Sequence, residues 1–128
     1  MTVGMVQAQQ HADDIIGYYF VKDPFTDEGI QIYIDRTNTG KYEGKVTWVE
    51  KEESKSFIGL IFMKDLTYNA KDHQWVKGTV KYPGKKGNFS VNMQFQNPDT
   101  LKVRGYWGVA MMGKTLYWPK EKQKRVQK

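Results

Sequence analysis

The chain has no cysteine, and its only histidines are His11 and His73. The missing thiols exclude disulfides, thiol catalysis and thiolate metal sites. They leave the compartment open, because a body of 128 residues can bury a real core without covalent staples. Neither histidine stands in an HExxH pattern or another metal-ligand spacing, and metal sites need several ligands at set intervals. No metal or cofactor is therefore expected. The carboxylates at positions 13–14, 23–28 and 50–53 lack the spacing of a calcium loop. There is no GxSxG elbow and no GxxxxGK[ST] phosphate cradle. No catalytic residue is assigned, and the sequence reads as non-enzymatic. An acid–base pair assembled from distant strands is the form an enzyme here would take. Long apolar runs are also missing. The longest, at positions 57–63, suits a strand or a short buried helix and falls far short of the roughly 18 residues of a membrane span.

What the chain does have is aromatics: four Trp, eight Tyr and six Phe. Each ring can bury on the order of 150–250 Å², so a packed single domain is expected. The formal charge is +6, and it is unevenly placed. Near the C-terminus Lys120, Lys122, Lys124, Arg125 and Lys128 stand against Glu121 alone. This reads as a loose basic tail at 121–128. The main reading is a solvated, solubilising end, and the alternative is a weak contact with an anionic surface.

Period-two alternation runs through the body from Gly17 onward. Phe89, Val91, Met93 and Phe95 alternate with Ser90, Asn92, Gln94 and Gln96. Ile30, Ile32 and Ile34 alternate with Gln31, Tyr33 and Asp35. In the same way Tyr42, Gly44, Val46 and Trp48 share one face, as do Val76, Gly78, Val80 and Tyr82, and Leu101, Val103, Gly105 and Trp107. Asn38-Thr39-Gly40, Pro83-Gly84 and Asn97-Pro98-Asp99 supply reversals between them. The pattern predicts about eight strands, near 17–22, 29–35, 41–50, 58–67, 74–82, 88–96, 100–108 and 114–118. Positions 51–55 read as a charged loop, and the strand near 58–67 could begin as a short helix. Short strands with hairpin-length turns predict an all-β fold, a single antiparallel up-and-down barrel of about eight strands. A sandwich is the second architecture.

Six residues are candidates for ligand binding: Trp48, Trp75, Tyr82, Arg104, Tyr106 and Trp118. They combine aromatic faces with a cation. In a barrel interior this suits a small hydrophobic or amphipathic molecule with an acidic head. On an open face it suits single-stranded nucleic acid, although no specific nucleic acid is expected. The plainer reading is that the aromatics fill the core and the cations face water. Arg104 is the leading polar candidate, either as a bidentate carboxylate binder or as a brace for Glu43. Met111 and Met112 form a candidate rim, or a loop folded onto the barrel end.

Several stretches together resemble a family of exported bacterial proteins of unknown function that are lipocalin-like in fold. Ile16-Gly17-Tyr18-Tyr19 resembles its GxW start, with Tyr19 where Trp is usual. Positions 40–46, GKYEGKV, resemble its GkYxGkI strand. Positions 75–83, with Tyr82 in place of an acidic residue before Pro83, resemble a further segment. Positions 101–108, LKVRGYWG, resemble its LkvRGYxG signature, and positions 113–118 resemble its closing segment ending in Trp118. The resemblance implies a calycin-type barrel over 16–120, with Lys120 packing over Tyr19 to close one end, and export to the periplasm or beyond. Residues 1–15 are read as a flexible N-terminus. Val6-Gln7-Ala8 within them resembles the end of a secretory signal peptide without its basic start; an ordinary loose terminus is the alternative. The resemblance carries no activity. Binding of a small apolar or amphipathic ligand such as a fatty acid is the leading functional reading, and an envelope protein with a side-chain-filled core is the alternative.

Overall fold

A computed structural model describes residues 11–82, 87–106 and 114–128. Among them, eight strands form one closed antiparallel barrel in sequence order. They are β1 (Gly17–Lys22), β2 (Gly29–Arg36), β3 (Tyr42–Val49), β4 (Ile61–Asn69), β5 (Gln74–Val80), β6 (Phe89–Asn97), β7 (Thr100–Tyr106) and β8 (Lys114–Glu121). Closure removes the open edges that would otherwise template aggregation. The pairs that close the circle are Tyr18 with Glu121 and Tyr19 with Lys120. The fourth strand begins later than the alternation predicts. The charged stretch before it is a 3-10 helix, Glu52–Phe57, rather than a loop.

The turns follow the expected chemistry. Gly40 takes φ 84°, which is open to glycine without a Cβ penalty, and its N–H donates to Thr37 O at 3.0 Å. Asp23 turns the β1–β2 connection by accepting the Phe25 N–H on Oδ1 at 2.7 Å.

One end of the barrel is plugged by residues 12–15, just before β1. Ile15, in the 3-10 turn Asp13–Ile15, and Ala12 before it are both buried. Trp75 Nε1 donates to Ala12 O at 3.0 Å, and the Tyr19 hydroxyl donates to Ile15 O at 2.9 Å. Lys120 Nζ lies 5.8 Å from the centroid of the Tyr19 ring and 5.7 Å from that of Phe95, and donates to Asp14 O at 3.0 Å. The lid of this end is therefore a cation over tyrosine. Residues 12–15 belong to the packed body, which corrects the reading of 1–15 as wholly loose; residues 1–10 lie outside the described residues.

The C-terminal segment is likewise part of the body. Glu121 ends β8, and the residues after it run over the outer face of β1–β3. Arg125 lies 4.7 Å from the Phe20 ring centroid and 4.8 Å from that of Trp48, and pairs with Glu121 at 2.7 Å. Gln127 accepts the Val49 N–H at 2.9 Å and donates to Val49 O at 3.0 Å, mimicking one rung of a strand. A loose basic tail is thus corrected: Arg125 is committed to the barrel, while Lys122, Lys124 and Lys128 face water. Beneath this segment sits Gln31, fully buried, with its amide saturated. Its Nε2 donates to Glu121 Oε1 and Gln123 O, both at 2.9 Å. Its Oε1 accepts from Thr47 Oγ1 and Arg125 N, both at 2.9 Å.

Candidate functional site

The barrel interior is divided. Its lower and middle parts are filled by Tyr19, Tyr42, Trp75, Met63, Leu66, Leu101 and Trp118, all buried. From Trp118 an aromatic column rises toward the end opposite the plug. Phe62 lies 5.8 Å from Trp118 and 5.2 Å from Tyr82, and Tyr82 lies 5.5 Å from Phe89 and 5.7 Å from Phe25. These separations and tilts are those favoured by ring quadrupoles. Above the column a mainly apolar pocket of about 160 Å³ opens between Phe25, Tyr82, Phe89, Val91, Val103 and Leu116. Pro24, Gly105 and Lys114 complete its wall, and Lys114 is exposed. Burial and the nearby Asp23 carboxylate push the Tyr82 phenol well above the ordinary tyrosine range, so it is neutral at physiological pH. Beside the pocket, a cavity of about 20 Å³ between Asp23, Glu28, Ile30, Phe57 and Tyr82 has room for one water.

The six sequence candidates separate onto different surfaces. Tyr82 lines the pocket, and Trp118, 1% exposed, supports the column beneath it. Trp75 is buried at the plugged end. Trp48 lies outside, under Arg125. Its parity is reversed by a register shift between β2 and β3: Ile32 faces Val46, but Gln31 faces Trp48, so Thr47 is an extra residue. A second shift between β5 and β6, with Lys77 at φ 64°, moves Trp75 inward. Arg104 and Tyr106 also face outward, because Leu101 and Val103 take the interior. Arg104 donates to Thr115 Oγ1 at 2.8 Å and does not brace Glu43. Met111 and Met112 lie outside the described residues. Of the pocket residues not singled out, Phe89, Val91 and Val103 carried a signal in their alternation. Phe25, just after a turn proline, carried none.

No ligating group of three or more His, Asp or Glu occurs among the described residues. His11 and His73 stack edge to face at 6.2 Å, with Asp14 3.5 Å from His11 and the Tyr68 hydroxyl 3.3 Å from His73, and all these contacts are solvated.

A closed eight-stranded meander, plugged at one end and holding a small apolar pocket at the other, is a lipocalin-like barrel. Residues 17–120 match a family described as an uncharacterized protein conserved in bacteria (DUF2147), and the chain belongs to that family. No curated protein matches the chain in sequence. Among solved structures, protein HP1028 from Helicobacter pylori, described as belonging to the lipocalin family, superposes with a TM-score of 0.67. The two are 14% identical, with 84% of this chain and 83% of that one covered. The likeness is one of fold.

Proposed function

We propose that the protein is a non-enzymatic binding barrel that takes the apolar end of a small amphipathic molecule. The observation that carries this reading is the apolar pocket of about 160 Å³ beneath an exposed lysine, Lys114. Its volume is close to the ~150 Å³ of a cavity that holds a benzene ring and below the ~300 Å³ at which drug-sized pockets begin. A ring, or a chain of about six carbons, fits. Burying about six methylenes at ~0.8 kcal/mol each gives roughly 5 kcal/mol of transfer free energy, most of which offsets the lost freedom of the bound molecule, so the apolar part alone supports only weak binding, of about millimolar affinity or weaker. An acidic head at Lys114 would add to this. A short fatty acid meets both requirements; a long chain would leave most of its carbons outside.

Titration of the protein with octanoate, followed by NMR, tests the reading. Gly105 lines the pocket, and among the described residues its Cβ position has only Lys114 O at 3.8 Å and Val91 Cγ1 at 4.0 Å nearby. Gly105→Leu therefore should fill the pocket and abolish octanoate binding with the fold intact. Wild-type protein that shows no shifts at the pocket residues refutes the proposal. That outcome would favour the second reading, an envelope protein with a filled core, whose support is the packed interior below Phe62. Export belongs with both readings and is supported by the signal-like Val6-Gln7-Ala8. A natural mature chain beginning at Gln9 would bear it out, and a retained Met1 would end it.

A further inference from the structure

The outer wall of the barrel across β5–β8 holds a separate concavity of about 310 Å³. Strand register lays out its floor in rows. Asn92, Arg104 and Thr115 stand side by side, and Gln94 and Lys102 form the next row. Side chains within a row are ~5 Å apart at Cβ, and the rows are separated by about 7 Å along the strands. Arg104 is positioned by neutral groups: Nη1 donates to Thr115 Oγ1 at 2.8 Å, and its guanidinium carbon lies 5.7 Å from the Tyr106 ring centroid. Gln74 Nε2 donates to Gln94 Oε1 at 2.9 Å, which fixes the orientation of both amides. None of the described residues lining the concavity is acidic, and among the described residues neither Lys102 nor Arg104 has a carboxylate within 4.0 Å.

We infer that this outer groove binds a saccharide carrying an anionic substituent, a carboxylate or a phosphate. Each part of the arrangement bears on that class. Arg104 retains N–H donors that no described residue takes, arranged in a fork that suits two acidic oxygens. Lys102, two positions away on the same outer face, extends the positive potential along the groove. The amides of Gln74, Asn92 and Gln94 combine donors with acceptors, the pairing that vicinal hydroxyls require. Tyr106 offers a flat apolar surface to sugar C–H groups. A neutral sugar would leave the two cations unused. Single-stranded nucleic acid binds through a series of stacked aromatic faces along a charged track, and among the described residues Tyr106 is the one ring lining the groove, fewer than such a series needs. An extended peptide has no sheet edge to join, because β5–β8 are internal to a closed barrel.

Calorimetric titration of the full chain with trigalacturonate, glucose 6-phosphate, maltotriose, inorganic phosphate and a short oligothymidine tests the inference. At least one of the two anionic sugars should bind, with maltotriose and inorganic phosphate each weaker by roughly tenfold or more. Arg104→Gln should weaken that binding by about tenfold or more without changing the thermal midpoint, since the side chain is exposed. Arg104→Lys should recover only part of the loss, because it keeps the charge and removes the fork. Absence of binding to either anionic sugar overturns the inference. So does maltotriose binding as tightly, phosphate alone binding as tightly, oligothymidine binding more tightly, or an Arg104→Gln variant that binds normally.

Discussion

Replacing Gln31 with leucine removes the polar centre that holds the C-terminal segment to the barrel while keeping similar bulk. The amide makes four hydrogen bonds of 2.9 Å, one of them to the Glu121 carboxylate. Three neutral bonds at a net ~1 kcal/mol each and one charged bond at ~1.5–3 kcal/mol sum to about 5 kcal/mol. The chain can recover part of that by lifting residues 122–128 into water, where Gln123 O and Arg125 N hydrate. The expected loss is therefore about 2–4 kcal/mol, a large share of a typical 5–15 kcal/mol. At roughly 4 °C per kcal/mol for this size, the thermal midpoint should fall by about 8–16 °C. Urea unfolding of wild type and Gln31→Leu gives the free energy, and trypsin cutting after Lys122, Lys124 and Arg125 reports the docking. The same substitution in a chain ending at Glu121 isolates the cause, because two of the four partners are then missing. Its cost there should be smaller, because the two missing bonds account for about 2 of the ~5 kcal/mol. An undiminished cost in the shortened chain, or a full-length variant whose segment stays resistant to trypsin, would refute the reasoning.

Three further outcomes are expected. The hydrogen bond from Arg125 holds the Glu121 carboxyl below the ordinary carboxylate range, with burial opposing. A depressed folded-state value contributes stability that is present above the unfolded value and lost as pH falls through the folded one, so NMR titration should show the segment docked across the usual carboxylate range and released only below it. Burial raises the Tyr19 and Tyr82 phenols, with Asp14 and Asp23 adding to it respectively. Their stabilising effect is complete below the ordinary tyrosine value near ~10 and declines as pH rises above it; absorbance titration should show Tyr19 and Tyr82 among the tyrosines that ionise only as the barrel unfolds, and one fewer such tyrosine in Tyr82→Phe. Finally, a Cβ at Gly78 would lie 2.7 Å from Leu66 Cδ1 and 2.9 Å from Val91 Cγ2. Gly78→Ala should cost about 1–3 kcal/mol in urea unfolding through overpacking, and an unchanged midpoint would contradict the close approach.

The architecture was legible because strand alternation and turn residues are local signals. The Phe89–Asn97 strand shows this best: its inward Phe89, Val91 and Met93 are the residues the alternation marks. The placement of single side chains was less legible, and the tryptophans show why. Alternation assigns faces only while the register is unbroken. One extra residue at Thr47 sends Trp48 outside, and the left-handed Lys77 brings Trp75 inside. Thr47 and Lys77 are not glycines, so no turn residue announces either irregularity. The docking of Arg125 was hidden for another reason. Its partners Gln31, Phe20 and Trp48 come from three different strands, and nothing near 121–128 in sequence encodes them.

These misplacements change how the pieces of the family signature divide between structure and binding. Lys120 caps the plugged end, Tyr19 is part of the plug and Trp118 fills the middle, so these three are accounted for by packing. Arg104 and Tyr106 stand in the same signature yet face water, where a solvated arginine adds little to stability. Burial therefore does not explain them, and the anionic-sugar groove proposed on the outer wall would give both a role. Gly105, between them, points the other way and leaves the inner pocket open beside Val103. A single strand thus borders two unlike spaces, one apolar and on the inner side of the barrel wall, the other polar and cationic on the outer side. Substitutions on its two faces should separate accordingly: Gly105→Leu should remove octanoate binding and leave anionic-sugar binding in place, and Arg104→Gln should do the reverse. Loss of both in either variant would mean that the two spaces are one site.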